Sequence, residues 1–162
     1  MKKIVVIAGL SLAGVLAGSA NAQLLSHKDL SLGMAITMAT TAIETCKSQG
    51  YAVSVNVLGR NGEVILAVRG EGTNPTTLEN SMKKAYTART LRQPSGQFAK
   101  NVKGNPTAGA LFLANIVPAQ GALPISVGED VIGAIGVSGA PGGDKDEACA
   151  KAGLDKVSAD LK

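Results

Sequence analysis

The chain has few aromatic side chains and a single histidine, and these shortages exclude several classes of function. It contains no Trp, two Tyr and two Phe in 162 residues, so it lacks the aromatic platform on which proteins stack single-stranded nucleic acid. One histidine also excludes a catalytic zinc site built from two or three imidazoles of one chain. That histidine, His27, lies near the N-terminus, a poor place for the rigidly held base of a Ser-His-Asp or Cys-His pair.

Cysteine is scarce too. Cys46 and Cys149 are the only two, and neither has a CxxC partner, which argues against a thioredoxin-like or zinc role. If the chain is exported, a disulfide is the first interpretation. Two buried free thiols are the alternative.

The N-terminal segment has the pattern of a cleavable secretory signal. Lys2 and Lys3 precede the apolar residues 4–17, and Ala20–Asn21–Ala22 supplies the small residues that a signal peptidase requires. The 14 apolar residues fall short of the roughly 20 that span a bilayer. The pattern predicts a signal at 1–22, a mature chain at 23–162 with no membrane span, and a periplasmic or secreted protein.

The mature chain has the size and charge of one ordinary domain. Removing 22 of 162 residues leaves 140, close to the commonest domain size. Without Lys2 and Lys3 the 16 basic residues become 14, against 12 acidic ones, so the net charge falls from +4 to +2. This small excess gives no argument for a nucleic acid or an anionic membrane as partner.

Hydrophobic periodicity predicts the order helix, hairpin, helices, hairpin, helix. The first helix is expected to begin with a capping box at Ser26 and Asp29 and to end at Gly50. A strand whose alternation is typical of half burial, at 53–57, pairs with 63–69, and 123–127 pairs with 131–138. Asn74 and Pro75 are expected to open the central helix. The order predicts an α+β domain in which helices flank an antiparallel sheet.

Three glycines, Gly133, Gly136 and Gly139, resemble a nucleotide-binding loop at first sight. The first two fall inside a predicted strand, and the chain has no βαβ unit around them. We therefore interpret them as small residues that let a helix or a ligand approach the sheet closely.

Several polar residues are candidates for a ligand site. The cations Arg69, Lys83, Lys84, Arg89 and Arg92 would attract carboxylates, such as tetrapyrrole propionates, if they faced one cleft; the alternative is a solvated basic face. Tyr86 is either an aromatic at the edge of the core or a phenolate ligand to ferric iron. His27 is either a solvated residue in the first helical turn or an axial haem ligand.

Three segments carry a resemblance to a known family. They are GALPISVGEDVIGAIGVSGA at 121–140, followed by Asp146–Glu147–Ala148, then SMKKAYTA at 81–88, and VNVLGRNGEVILAVRGEG at 55–72. Together they resemble the GlcG/HbpS family of haem-binding-like domains, the domain that also forms the C-terminal part of PduO proteins. The resemblance covers nearly all of the mature chain.

The resemblance implies an antiparallel sheet of about five strands flanked by helices, in the profilin-like manner, and a homo-oligomer. It also implies a Cys46–Cys149 disulfide, because the family fold would place both helices on the same side of the sheet. Together with the signal at 1–22, it leads us to expect a non-enzymatic, extracytoplasmic protein that binds haem, another tetrapyrrole or another small anionic ligand. The alternatives are an enzyme acting on haem or a small organic acid, and an oligomeric accessory protein without a tight ligand. The iron-ligand candidates are His27 and Tyr86, and the implied ligand pocket consists of Arg69, Lys84, Tyr86, Thr87, Gly121, Pro124 and Gly139.

Overall fold

The computed structural model describes residues 23–162, so the predicted signal at 1–22 lies outside the described residues. The elements follow the predicted order of helices and hairpins. They are α1 (Leu32–Ser48), β1 (Ser54–Leu58), β2 (Val64–Arg69), α2 (Thr77–Leu91), α3 (Ser95–Lys103), a 3-10 turn (Gly109–Phe112), β3 (Ala122–Val127), β4 (Asp130–Ser138), α4 (Gly143–Val157) and a final 3-10 turn (Ser158–Asp160).

The four strands form one antiparallel sheet in the order β2-β1-β4-β3. Each hairpin pairs its own two strands, and β1 joins the hairpins by pairing with β4. The α+β class and the flanking helices are confirmed, with four strands where about five were expected. Ser54 pairs with both Arg69 and Ser138 at one end of the sheet, which we call the cleft end. The opposite end, with the turns at 59–62 and 128–129, is the hairpin end.

Helices cover both faces of the sheet. The helices α1 and α4 pack against each other and against one face, where Val55, Val57 and Val137 contribute to the larger apolar core. On the other face α2 packs across β1, β3 and β4. Every residue of β1 is therefore buried, and the prediction of a half-buried strand was wrong, because α2 covers the polar side of the alternation.

The contact between α2 and the sheet is made of small and polar side chains. Ser54 Oγ lies 2.8 Å from Thr77 Oγ1, and the Asn56 amide donates to Ser81 Oγ at 2.8 Å. A Cβ on Gly136 would lie 2.2 Å from the Ser81 carbonyl oxygen. A side chain at that position would push the helix away, so the interpretation of this glycine as a close-approach residue is confirmed.

The first helix begins later than the capping-box pattern indicates. Ser31 is the N-cap and its Oγ accepts from the Met34 amide at 3.2 Å, whereas residues 23–29 are exposed and not helical. The capping box at Ser26 and Asp29 was wrong, because Leu30 must turn into the core before the helix starts. The central helix also starts late, at Thr77 instead of after Asn74.

A disulfide joins the two helices that share one face of the sheet. Cys46 in α1 and Cys149 in α4 are bonded, with their Cα atoms 5.7 Å apart. Disulfides require Cα atoms within about 7 Å, and antiparallel packing of the two helices supplies this distance. The predicted pairing is confirmed, and the alternative of two free thiols is wrong.

Candidate functional site

Two clefts lie at the cleft end of the sheet. One has polar walls, encloses about 470 Å³ and lies between the start of α2, the end of β4 and the start of α4. The other has mainly apolar walls, has a volume of about 450 Å³ and lies between the end of α1, the start of β1 and the end of β2. Both volumes are within the range of small-molecule sites. We call them the polar cleft and the apolar cleft.

A buried ion pair forms one wall of the polar cleft. Lys84 Nζ lies 2.7 Å from Asp146 Oδ2, and both side chains are only 4% exposed. The ammonium also donates to the Val137 carbonyl at 3.2 Å, while Asp146 Oδ1 accepts from the Ala140 amide at 3.0 Å. Two of the three ammonium N–H groups are thereby used, which leaves one donor for a ligand.

Burial dominates the electrostatics of Asp146. Loss of hydration raises the pKa of its carboxyl, and hydrogen bonding and charge attraction from Lys84 oppose this shift without cancelling it. The pair is therefore held by its hydrogen bonds in a place where ionisation is costly. An arrangement of this kind keeps a lysine fixed at the wall of a cleft.

Gly121 makes room for the pair, and Gly139 lets the chain after β4 approach the backbone that precedes β1. Gly121 has a φ of +136°, and a Cβ on it would lie 2.8 Å from Lys84 Nζ and 2.9 Å from the Asp146 Cβ. Gly139 has a φ of +139°, and a Cβ there would lie 2.3 Å from the Ala52 carbonyl oxygen. Only glycine adopts such backbone angles without strain and fits these spaces.

The apolar cleft combines hydrocarbon walls with two cations and one carboxylate, that of Glu71. Its walls include Ile43, Val53 and Val68, together with the Tyr51 ring, and Lys47 and Arg69 stand beside them. The Arg69 guanidinium donates to the carbonyls of Asn74 and Pro75 at 3.0 Å, which fixes its position at the end of β2. The cleft suits a flat apolar molecule that carries carboxylates at its edge.

The residues of the implied pocket are divided between several places. Lys84 and Gly139 line the polar cleft, and Gly121 contacts Lys84 behind it, whereas Arg69 lines the apolar cleft. Three residues line neither of the two clefts: Tyr86, Thr87 and Pro124. The Tyr86 ring packs beside Gly62 at the hairpin end, Thr87 Oγ1 accepts from the Val117 amide at 2.9 Å, and Pro124 pairs with Ala134 in the sheet.

His27 lies at the hairpin end, on the exposed segment before α1. Its Nε2 is 3.1 Å from Asp29, which in turn contacts Arg60 at 3.3 Å, and Arg60 pairs with Asp130 at the start of β4. The nine residues of β4 span about 26 Å, so His27 is remote from both clefts of its own chain. Its predicted place in a first helical turn was wrong.

The five cations named from the sequence do not face one cleft. Lys83 pairs with Glu79 along the surface of α2, and only Arg69 and Lys84 line a cleft. Arg89 is partly buried near the C-terminal end of α2, and its Nε is a buried donor with no partner. Burial, and then the charges of Arg92 and Arg60, lower the pKa of Arg89.

Sequence reasoning missed three residues of the clefts. Asp146 lies four residues before Ala150 on the buried stripe of α4, and a charged residue on such a stripe is the signal that could have identified it. Tyr51 is one of the usual iron donors, but its place directly after a helix end indicates a structural role. Lys47 gave no signal, because the cleft forms only when α1 packs beside β2. In residues 23–162 no group of three or more His, Cys, Asp or Glu could hold a metal ion. None of the described helices is long and apolar enough to cross a bilayer.

The fold is a small α+β domain, and its two clefts have volumes within the range of small-molecule sites. The family model described as haem degrading protein HbpS-like matches residues 30–155. The chain belongs to the HbpS-like family.

Known proteins are similar to this chain in sequence or in fold over most of its length. A double mutant of Streptomyces reticuli HbpS is 32% identical, with a TM-score of 0.76 over 90% of this chain and 97% of its own. An uncharacterised 15.0 kDa protein of Citrobacter freundii is 33% identical over 63% of this chain and 82% of its own length. The PduOC–haem complex shares the fold at 20% identity, with a TM-score of 0.72 over 78% of this chain and 94% of its own.

Proposed function

We propose that this protein is an exported haem-binding protein that holds haem in the apolar cleft. Membership of the HbpS-like family supports haem as the ligand. The observation that carries the site is the combination of apolar walls with Tyr51 and with two cations, Lys47 and Arg69, which outnumber the one acidic residue, Glu71, around about 450 Å³. A porphyrin needs apolar contact for its faces and cations for its propionates, and this cleft supplies both.

The polar cleft fits haem less well. Its lining includes Asn80, Gln120 and Asp144, whose polar groups would lose hydration against a porphyrin face without gaining hydrogen bonds. Its cation, Lys84, is already paired with Asp146. The chemistry of the two linings therefore favours the apolar cleft.

Tyr51 is the iron ligand that this proposal selects, since a phenolate binds ferric haem iron. We expect Tyr51→Phe to change the ferric absorption spectrum and to weaken haem binding about tenfold or more, a loss of about 1.4 kcal/mol or more. His27→Ala and Tyr86→Phe, which alter the ligands that the sequence predicts, are the matched comparisons. An unchanged Tyr51→Phe spectrum with a changed spectrum in either comparison would move the iron to the hairpin end.

Export is part of the proposal. It is supported by the signal pattern at 1–22 and by the Cys46–Cys149 disulfide, a bond that persists in oxidising compartments. Expression of the whole chain in a bacterium should yield a periplasmic or secreted protein whose N-terminal sequence starts at Gln23. Recovery of the intact chain from the cytoplasm alone would contradict export.

Assembly into a homo-oligomer also belongs to the proposal. The strands β2 and β3 are open edges of the sheet, and such edges favour pairing or coverage by another chain. Beside β2, Leu32, Ile36 and Val64 are 55%, 45% and 52% exposed. A second copy would remove this apolar surface from water.

A second candidate function is haem degradation, which the description of the matched family names. It differs from binding in one observable. With a haem-degrading protein, the Soret band would disappear over time when a reductant and oxygen are supplied. With a protein that only binds haem, the iron would change its oxidation state and the Soret band would persist. The two functions use the same cleft.

A further inference from the structure

Charge is strongly segregated along the chain although the net charge is small. Residues 80–128 contain six basic residues and no acidic one. Since residues 23–162 contain 14 basic and 12 acidic side chains, the rest of the described chain has 8 basic and 12 acidic ones. One segment thus carries +6 and the remainder −4. Segregation of this kind is typical of a surface that meets an anionic partner.

Four of the six cations make no ion pair in the described chain, and three of these four are exposed: Arg92, Lys100 and Lys103. Glu79 neutralises Lys83, and Asp146 neutralises Lys84. Within residues 23–162 the other four make no ion pair: Arg89, Arg92, Lys100 and Lys103. Of these, Lys100 and Lys103 are exposed on α3, on the side opposite its buried residues Phe98 and Val102.

The same segment exposes two large apolar side chains. Phe112 and Leu113, which end the 3-10 turn after α3, are 76% and 56% exposed. We call residues 104–116 the tip. It is fixed where it returns to the fold, because the Val117 amide donates to Thr87 Oγ1 at 2.9 Å and Asn115 adopts a left-handed φ of +65°.

We propose that the tip and the cations of α3 dock the protein onto an anionic lipid membrane. Phe112 and Leu113 would enter the interfacial layer while Lys100 and Lys103 meet lipid phosphates, the arrangement by which surface-bound proteins combine apolar burial with charge. The docking goes beyond haem binding, and it needs no membrane-spanning element.

The size and composition of the tip favour a membrane over the other partners. Two apolar side chains bury less than about 500 Å², well below the roughly 800 Å² that each partner contributes to a stable protein interface. A single-stranded nucleic acid would need several stacking rings, and Phe112 is the one exposed Phe of the described chain because Phe98 is 4% exposed.

Vesicle sedimentation tests the proposal with the chain that starts at Gln23, which contains the whole described fold. We expect binding to vesicles of equal parts phosphatidylglycerol and phosphatidylcholine, and little binding to phosphatidylcholine alone. High salt should release the protein, because the cations act through screened electrostatics. Light scattering of each variant reports its assembly in parallel.

Paired variants assign the effect to the tip and to α3. Phe112→Ser with Leu113→Ser should weaken vesicle binding by roughly tenfold or more, whereas Leu24→Ser with Leu25→Ser, which removes two large exposed apolar side chains elsewhere, should not. Lys100→Gln with Lys103→Gln should weaken it roughly 25-fold, about fivefold per charge. The matched charge control is Lys151→Gln with Lys156→Gln on α4.

Three results would overturn the proposal. The first is no binding to anionic vesicles. The second is binding that the tip and α3 variants leave unchanged. The third is a lower oligomer mass for the tip double variant with unaltered vesicle binding, which would make the tip a contact between copies of this chain. Haem affinity should be the same for all these variants, so that failure of the docking does not affect the haem proposal.

Discussion

Replacing both cysteines, Cys46→Ser with Cys149→Ser, is expected to lower the free energy of unfolding by about 4–5 kcal/mol. The two residues are 103 positions apart, and closing a loop of that length removes a large part of the conformational entropy of the unfolded chain. Both side chains are fully buried, so the substitution also places two hydroxyl groups in the core. Urea unfolding at equilibrium measures the loss.

The reduced wild-type chain is the control for this experiment. Unfolding in the presence of a thiol reductant should show most of the same loss without any change of sequence. If the double variant and the oxidised wild type unfolded at the same urea concentration, the bond would contribute nothing to stability. In that case the disulfide between α1 and α4 would not stabilise the packing of these two helices on the sheet.

Removing one partner of the buried Lys84–Asp146 ion pair is also expected to lower the free energy of unfolding strongly. Lys84→Met leaves the Asp146 carboxylate without its cation, and Asp146→Leu leaves a buried ammonium that retains only the Val137 carbonyl. Each change should cost about 3–5 kcal/mol of unfolding free energy, the usual cost of breaking a buried pair. Urea unfolding again gives the values.

The double variant distinguishes the contribution of the ion pair to stability from the contributions of the individual side chains. Lys84→Met with Asp146→Leu leaves no buried charge, so its loss should be clearly smaller than the sum of the two single losses. Additive losses would contradict the account, because they would mean that the two side chains do not interact. Haem binding serves as the functional control and should persist in the double variant if haem occupies the apolar cleft.

The sequence predicted those parts of the fold that depend on local patterns. Both hairpins, the α+β order and the position of α4 follow from turn residues and apolar alternation, and the family resemblance led to the disulfide. The start of α1 was missed because Ser26 and Ser31 both fit a cap, and only the burial of Leu30 selects the second. The full burial of β1 was missed because it depends on α2, whose buried face is small and polar.

The clefts were harder to predict than the fold. Lys84 and Asp146 are 62 residues apart, so their pairing requires the packing of α2 against β4 and the turn into α4. The apolar cleft depends on how the end of α1 meets β2. In both cases the residues are adjacent only in three dimensions, and local periodicity carries no information about them.

Haem binding in the apolar cleft is tested by a haem titration of the chain that starts at Gln23, followed by the Soret band. We expect a shift that saturates near one haem per chain, or per pair of chains, and that weakens when Tyr51→Phe or Lys47→Gln alters the apolar cleft. A titration that never saturates, or a saturable shift that both cleft variants leave unchanged, would contradict haem binding in this cleft.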